Sequence, residues 1–464
     1  MMKLKIPLTR ETLVSTILVT ASSLVAAGNA GMQHSRPNII FIMADDLGYG
    51  DLGCYGQERI KTPNIDKLAS EGMRFTQAYS GGSVCAPARS SLLTGMHNGN
   101  NRIRDNRPHG VFLQPDDFTI AELLKKAGYY TGGIGKYSLG NPGSWGVPNY
   151  QGFDYFFGQL NQEHAHFYYP QHIWENEREI LLHKNRPGGE KEYIHDTYTD
   201  KAITFIQENS QRPFFLYLAY TIPHFSEYPR GTPEWFTVPS DEPYTGENWP
   251  QTAKNYAAMI TRMDNDIGRL MELLKTLSIE NNTLVIFTSD NGPHQFILSE
   301  MEFFNSNGAL RGGKGENYEG GIRIPFIARW KHVIPEGTVN DKIIAFWDML
   351  PTFADIIDYP GKIETDGVSI WPDLKGEQGE EHEYLYWDYG HVRSTFSQAL
   401  RLGKYKLLSF LTDNTLRYEL YDLEKDPVET KNLVSEYPDV VSRMKQLMNE
   451  AYTYSDDYPR KVTH

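Results

Sequence analysis

The stretch Asn38-Ile39-Ile40-Phe41-Ile42-Met43-Ala44-Asp45-Asp46 decides how this chain is read. An unbroken apolar run of this length reads as a strand buried on both faces. It stops at two adjacent acids. Two further runs repeat the pattern: Phe214-Phe215-Leu216-Tyr217-Leu218-Ala219-Tyr220 leads to Pro223-His224, and Thr283-Leu284-Val285-Ile286-Phe287-Thr288 leads to Asp290-Asn291. Helical patterns separate them. Thr62-Pro63 opens a helix with Ile65, Leu68 and Ala69 on one face, and Gly72 stops it. Thr119 and Glu122 form a capping box before Leu123-Leu124, and Gly128 ends that helix. The longest helix spans roughly 253–277, where Ile260, Met263, Ile267, Leu270 and Leu274 recur at steps of three and four. Strands alternating with helices predict an α/β fold, a large mixed, mostly parallel sheet flanked by helices. In such sheets ligands sit beyond the carboxyl ends of the strands, so the three polar ends should face one crevice.

Residues 1–30 read as a secretory signal. Lys3, Lys5 and Arg10 precede an apolar stretch from Leu13 to Ala27, and Gly28-Asn29-Ala30 offers small residues for cleavage. The catalytic domain is expected over 36–376. After the polar linker Lys375 to His382, strand-like pieces at 384–387, 399–401, 405–408 and 418–423 precede a helix from about Pro438 to Tyr452. They predict a smaller C-terminal α+β subdomain over 380–464, with a small antiparallel sheet and a helix. No later segment is long and apolar enough to cross a membrane, so a periplasmic or secreted protein is expected.

The 464 residues carry 45 Lys+Arg against 59 Asp+Glu, a net charge of −14. That balance excludes general nucleic-acid binding, which needs a basic face. Two cysteines exclude a disulfide-built scaffold. The acid pairs Asp45-Asp46 and Asp290-Asn291 supply hard oxygen donors that suit Ca2+ or Mg2+, and either pair could instead cap a turn. Cys85 opens Cys85-Ala86-Pro87-Ala88-Arg89, followed by Ser90-Ser91-Leu92-Leu93-Thr94-Gly95. A helix starting near Pro87 would leave free N–H groups for an anion, and Arg89 would add a bidentate donor. Two alternatives stand for Cys85, a disulfide with Cys54 and a simple buried thiol.

Cys-x-Pro-x-Arg followed by Ser-x-x-Leu-Thr-Gly resembles the signature of the type I, formylglycine-dependent sulfatases of the arylsulfatase family and alkaline phosphatase superfamily. Other elements match in that family's order: Asp45-Asp46, Gly135-Lys136, Pro223-His224, Ser289-Asp290-Asn291-Gly292, Arg311-Gly312-Gly313-Lys314-Gly315 and Asp366-Gly367-Val368-Ser369. The resemblance covers about residues 36 to 455. It implies that Cys85 is oxidised after translation to formylglycine by a formylglycine-generating or anaerobic sulfatase-maturating enzyme. It implies that Asp45, Asp46, Asp290 and Asn291 hold Ca2+, with modified Cys85 completing the shell. Arg89 and Lys136 match residues that hold the nucleophile and the sulfate. His224 and Lys314 match groups that contact the sulfate and the leaving oxygen. One position departs: the family usually reads Gly-Lys-Trp-His-Leu-Gly, and this chain has Gly135-Lys136-Tyr137-Ser138-Leu139-Gly140. Serine is no base near neutral pH.

For substrate contacts the expected residues are His164 and His166 in the polar, aromatic run Asn161–Pro170, Arg104 and Asn106 after the signature helix, and His391 and Arg393 in the C-terminal part. Capping or solvated-loop roles are the alternatives. Trp145 and Trp174 could stack on a sugar or lie in the core. The resemblance implies exo-removal of sulfate from a sulfated oligosaccharide or polysaccharide fragment, at galactose or N-acetylgalactosamine and perhaps at the 4-O position. Two rivals are a phosphodiesterase or phosphonate hydrolase of the same superfamily, and a catalytically decayed protein that binds sulfated glycans.

Overall fold

The computed structural model describes residues 36–107, 110–187, 191–227, 232–295 and 298–464. The expected secretory signal lies outside the described residues. The strands of the main sheet are β1 (Asn38–Asp45), β2 (Met73–Tyr79), β3 (Tyr130–Lys136), β4 (Tyr155–Gln159), β5 (His172–Glu175), β6 (Arg178–Leu181), β7 (Phe214–Pro223), β8 (Thr283–Ser289), β9 (Arg323–Arg329) and β10 (Thr338–Ala345). Their order across the sheet is β10-β2-β9-β8-β1-β7-β3-β4-β5-β6. The centre, β8-β1-β7-β3-β4, is parallel throughout. Antiparallel partners enter at β9 on one side and at β5 and β6 on the other.

The three apolar runs form β1, β7 and β8, which are adjacent and buried along their whole length. Alternate side chains enter two separate cores. Ile39, Phe41 and Met43 join the cluster on one face, and Ile40, Ile42 and Ala44 join the other. This is why the runs show no polar alternation. The helix Gln251–Thr276 lays Met263, Ile267, Leu270 and Leu274 on the second face. The helix Ile120–Lys126 carries the expected capping box, with Thr119 accepting from the Glu122 N–H. Because the central strands are parallel, Asp45-Asp46, His224 and Asp290-Asn291 all emerge at one edge of the sheet.

β3 is glycine-rich for a steric reason. Gly135 has φ +105°, and a Cβ there would meet the Ala219 carbonyl oxygen at 1.9 Å. This lets β3 pair closely with β7 and delivers Lys136 to the same edge. A second sheet, β11 (Leu385–Tyr389), β12 (Thr395–Leu402), β13 (Tyr405–Thr412) and β14 (Thr415–Asp422), is antiparallel in chain order. The helix Pro438–Glu450 covers one of its faces. Trp387, Leu408 and Tyr421 on the other join Tyr79 and Trp347 of the main part. Pro37–His464 cluster as one compact unit.

Candidate active site

The floor of the crevice is a cluster of buried acids. Asp45 ends β1, and Asp46 follows in the left-handed region at φ 64°, a conformation that Asp adopts more readily than most residues. The Asp46 N–H donates to Asp290 Oδ1 at 3.1 Å, and Asn291 Nδ2 donates to Asp46 Oδ1 at 2.8 Å. Arg89 donates to Asp290 Oδ2 from Nε at 3.1 Å and from Nη2 at 2.8 Å, and to the Lys136 carbonyl from Nη1 at 2.8 Å. Arg89 is fully buried and braces the acids from behind.

Burial is the main force on these charges, and the neighbours decide the sign. Burial first, then the nearby charges of Asp45 and Asp290, pushes Asp46 up to about 6. Burial and Asp45 also raise Asp290. Burial disfavours charge on Asp45 too, yet Lys136, Arg89 and Lys314 outweigh it and hold that carboxyl below the usual carboxylate range. Asn291 Oδ1 is buried without a hydrogen-bond partner. Mutually repelling carboxylates beside an orphaned amide oxygen are the donor set of a hard divalent cation, and these residues fit one. Among the described residues, ligand atoms of Asp45, Asp46, Cys85 and His224 all converge within 4.8 Å of one another. His224 thus joins the converging atoms, whereas both Asp290 oxygens already accept hydrogen bonds.

Cys85 is the first residue of the helix Cys85–Thr94, whose N-cap Val84 provides no side-chain cap. Asn106 supplies one instead, its Oδ1 accepting from the Ala86 N–H at 3.0 Å. Cys85 Sγ lies 3.4 Å from Asp45 Oδ1 and 3.9 Å from Asp46 Oδ1. Burial and the Asp290 charge push the thiol up to about 12, so it is not a thiolate. Both Cys54 and Cys85 are free, which removes the disulfide alternative.

Cationic and imidazole groups ring the same oxygens. Lys136 Nζ donates to Asp45 Oδ2 at 2.7 Å and Lys314 Nζ to Asp46 Oδ2 at 2.8 Å. The Lys314 loop is clamped to the Cys85 loop by the Gly315 N–H on the Ser83 carbonyl at 2.8 Å. His224 Nε2 lies 3.4 Å from Asp46 Oδ2. Its Nδ1 faces the Phe225 carbonyl at 2.6 Å, which assigns the ring proton to Nδ1 and leaves Nε2 toward the acids. His166 stacks on His224 with centroids 3.8 Å apart. Its Nδ1 is 3.0 Å from Glu227 Oε1, and its Nε2 is 3.4 Å from Lys136 Nζ. Burial, followed by each ring's cationic or imidazole neighbours, holds both histidines well below the ordinary imidazole range. Ser138, at φ 68°, has a buried hydroxyl without a partner.

Other expected contacts lie elsewhere. His164 and His166 belong to one turn of 3-10 helix rather than to an extended edge, so they do not share a face. His164 stacks on His172 instead, with centroids 4.1 Å apart. Arg104 donates to the carbonyls of Asn101 and Thr453 and lies over the Tyr452 ring, tying down the C-terminal segment. His391 is buried between Asp388 and the Pro459 carbonyl. Arg393 forms a two-pronged pair with Asp105 at 2.7 and 2.8 Å. Glu227 and Ser80, whose hydroxyl donates to the Asp290 carbonyl, belong to the site and carry no motif that would reveal them.

The sulfatase family profile matches residues 37–359. The chain belongs to the sulfatase family. A second profile, that of the N-sulphoglucosamine sulphohydrolase C-terminal region, matches 314–453 of this sulfatase. Human arylsulfatase A is 33% identical over 92% of this chain and 90% of its own length. The N-acetylgalactosamine-6-O-sulfatase of Bacteroides thetaiotaomicron is 29% identical over 94% of this chain and 97% of its own. The crystal structure of Ps i-CgsB in complex with k-i-k-neocarrahexaose superposes with a TM-score of 0.77 at 30% identity, covering 93% of this chain and 95% of that one. The sulfatase hydrolyses sulfate esters, and its mixed sheet with a small C-terminal antiparallel sheet is the fold of its relatives. No helix among the described residues is long and apolar enough to cross a membrane.

Proposed function

We propose that this sulfatase removes sulfate from a sulfated saccharide, with Cys85 converted to formylglycine and Ca2+ held by Asp45, Asp46, Asp290 and Asn291. The observation that carries the reading is the position of Cys85 Sγ, 3.4 and 3.9 Å from the carboxylates of Asp45 and Asp46, which Lys136, Lys314 and His224 surround. Formylglycine supplies an oxygen nucleophile that a thiol cannot, and the cation supplies a counter-charge for it. Lys136 and Lys314 meet the negative charge of the sulfate. Lys314, an ammonium beside Asp46, carries the proton for the leaving oxygen, and His224 turns its unprotonated Nε2 toward the same oxygens. His166 presents an unprotonated Nε2 on the same side, oriented by Glu227, and is the group able to accept a proton where Ser138 is not. A complete cationic set with two oriented imidazoles disfavours a decayed binding protein.

The relative named for N-acetylgalactosamine-6-O-sulfate favours the 6-O position over the 4-O position expected from sequence. The hexasaccharide in the Ps i-CgsB complex supports an oligosaccharide substrate. The leader-like residues 1–30 support export, and boundaries at 36–376 and 380–464 remain our division of the chain.

Co-expression with a formylglycine-generating enzyme, followed by assay on 6-O- and 4-O-sulfated N-acetylgalactosamine and matched phosphate esters, tests the reading. Sulfate release that is lost in Cys85→Ser is expected. Release at wild-type rate from Cys85→Ser, or preference for the phosphate esters, would overturn it.

A further inference from the structure

Beyond the crevice, the segment Asn141–Tyr150 between β3 and β4 carries two aromatic rings that the core does not use. Trp145 is 59% exposed and Tyr150 is 47% exposed, with ring centroids 5.7 Å apart. Together with Trp174, Leu160, Asn176 and Glu177 they line a cleft of about 280 Å³. The Trp145 backbone and the Tyr150 ring are held in place. Gln151 Nε2 donates to the Trp145 carbonyl at 2.9 Å, and the Tyr150 hydroxyl donates to Glu177 Oε2 at 2.7 Å. Ser144 closes the preceding turn onto Asn141 through its N–H and its hydroxyl. An exposed indole beside a carboxylate and an amide can offer an apolar face and hydrogen-bonding edges at once. That is the chemistry of a pyranose, which has a C–H face and a rim of hydroxyls. The lining contains Glu177 and neither lysine nor arginine. A sulfated or uronic ring would meet a like charge with nothing to offset it.

The cleft lies next to a second, smaller pocket on the side of the reacting centre. The two share Leu160, and the lining of the smaller one includes Ala86 and Ser138. Ala86 follows Cys85 in the chain, and Ser138 lies two residues from Lys136. A glycan whose sulfated unit sits over Cys85 would pass Ser138 on its way to the aromatic rings.

We propose that the Trp145–Tyr150–Trp174 cleft is a distal glycan subsite that stacks a neutral, unsulfated sugar ring of the same chain. The proposal rests on the saccharide reading of the crevice for its role in turnover, while binding at the cleft is measurable without it. The test is affinity electrophoresis of the full-length protein through a gel containing neutral galactan, alongside hydrolysis of a sulfated monosaccharide. Neutral galactan should retard wild type and Cys85→Ser equally. Trp145→Ala should weaken retention about fivefold, Trp145→Phe should keep most of it, and monosaccharide hydrolysis should be unchanged in both. Equal retention of Trp145→Ala, or no retention of wild type, would overturn the subsite. Trp145-dependent retention without any sulfate release would support the subsite and sink the saccharide-sulfatase reading of the crevice.

Discussion

His166 Nε2 lies 3.4 Å from Lys136 Nζ. The lysine in turn donates to Asp45 beside Cys85, at 2.7 Å. The imidazole comes from the loop after β4, whereas Ser138, where the family motif has a histidine, lies two residues beyond Lys136. The two segments meet because β3 and β4 are parallel neighbours ending at the same edge. An imidazole beside the nucleophile's lysine is thus supplied from a different strand.

His166→Ala should lower kcat about 100-fold, the scale of a lost general acid–base group. Ser138→Ala should change it less than about twofold, since the hydroxyl has no partner. Sulfate release, normalised to conversion at residue 85 by peptide mass spectrometry, measures both. Added imidazole should restore part of the His166→Ala rate, and no recovery would point to a packing role.

Calcium should stabilise the folded protein by mass action, by about 2.7 kcal/mol at a hundredfold excess over its dissociation constant. Asp46→Asn keeps a residue tolerant of φ 64° and removes one buried charge. The variant should lose most of the calcium-induced rise in Tm. An undiminished rise, read by differential scanning calorimetry, would exclude Asp46 from the cation site.

Away from the crevice, Lys406 of β13 lies 2.9 Å from Glu319 and 2.9 Å from Glu429, all three buried. This triad joins the small sheet to the segment that leads from Lys314 into β9. Lys406→Met takes the counter-charge from buried Glu429 and leaves Glu319 with Arg323 at 3.4 Å, and should cost about 3–5 kcal/mol, measured by urea unfolding. Lys406→Met combined with Glu319→Gln and Glu429→Gln should recover much of that loss.

The same triad predicts a pH dependence. Burial, assisted by Glu319, raises Glu429 from 4.5 to about 7. A carboxyl with a higher pKa when folded stabilises the protein at low pH, and that contribution fades as pH rises from about 4.5 to about 7. Unfolding midpoints of wild type should therefore fall across this window relative to those of Glu429→Gln. Parallel curves for the two proteins would rule out titration of Glu429 there.

Local sequence sufficed for the central strands, the capping box at Thr119, and the grouping of Asp45, Asp46, Asp290 and Asn291. Each depends on neighbours in the chain or on the rule that parallel strands end together. The placement of Cys85 and Arg89 on one helix was equally legible, because they lie four residues apart in the signature segment. The partners that complete the site were not. Glu227 reaches His166 only through the packing of two loops, and Asn106 caps the Cys85 helix from 20 residues away. Arg104 and His391 look like ligands in the sequence, yet the C-terminal segment claims them, since buried donors must be satisfied by whatever backbone lies nearest. Periodicity states which faces are buried. Only the three-dimensional arrangement of loops decides which polar group meets which, because such contacts form between residues that the chain order does not bring together.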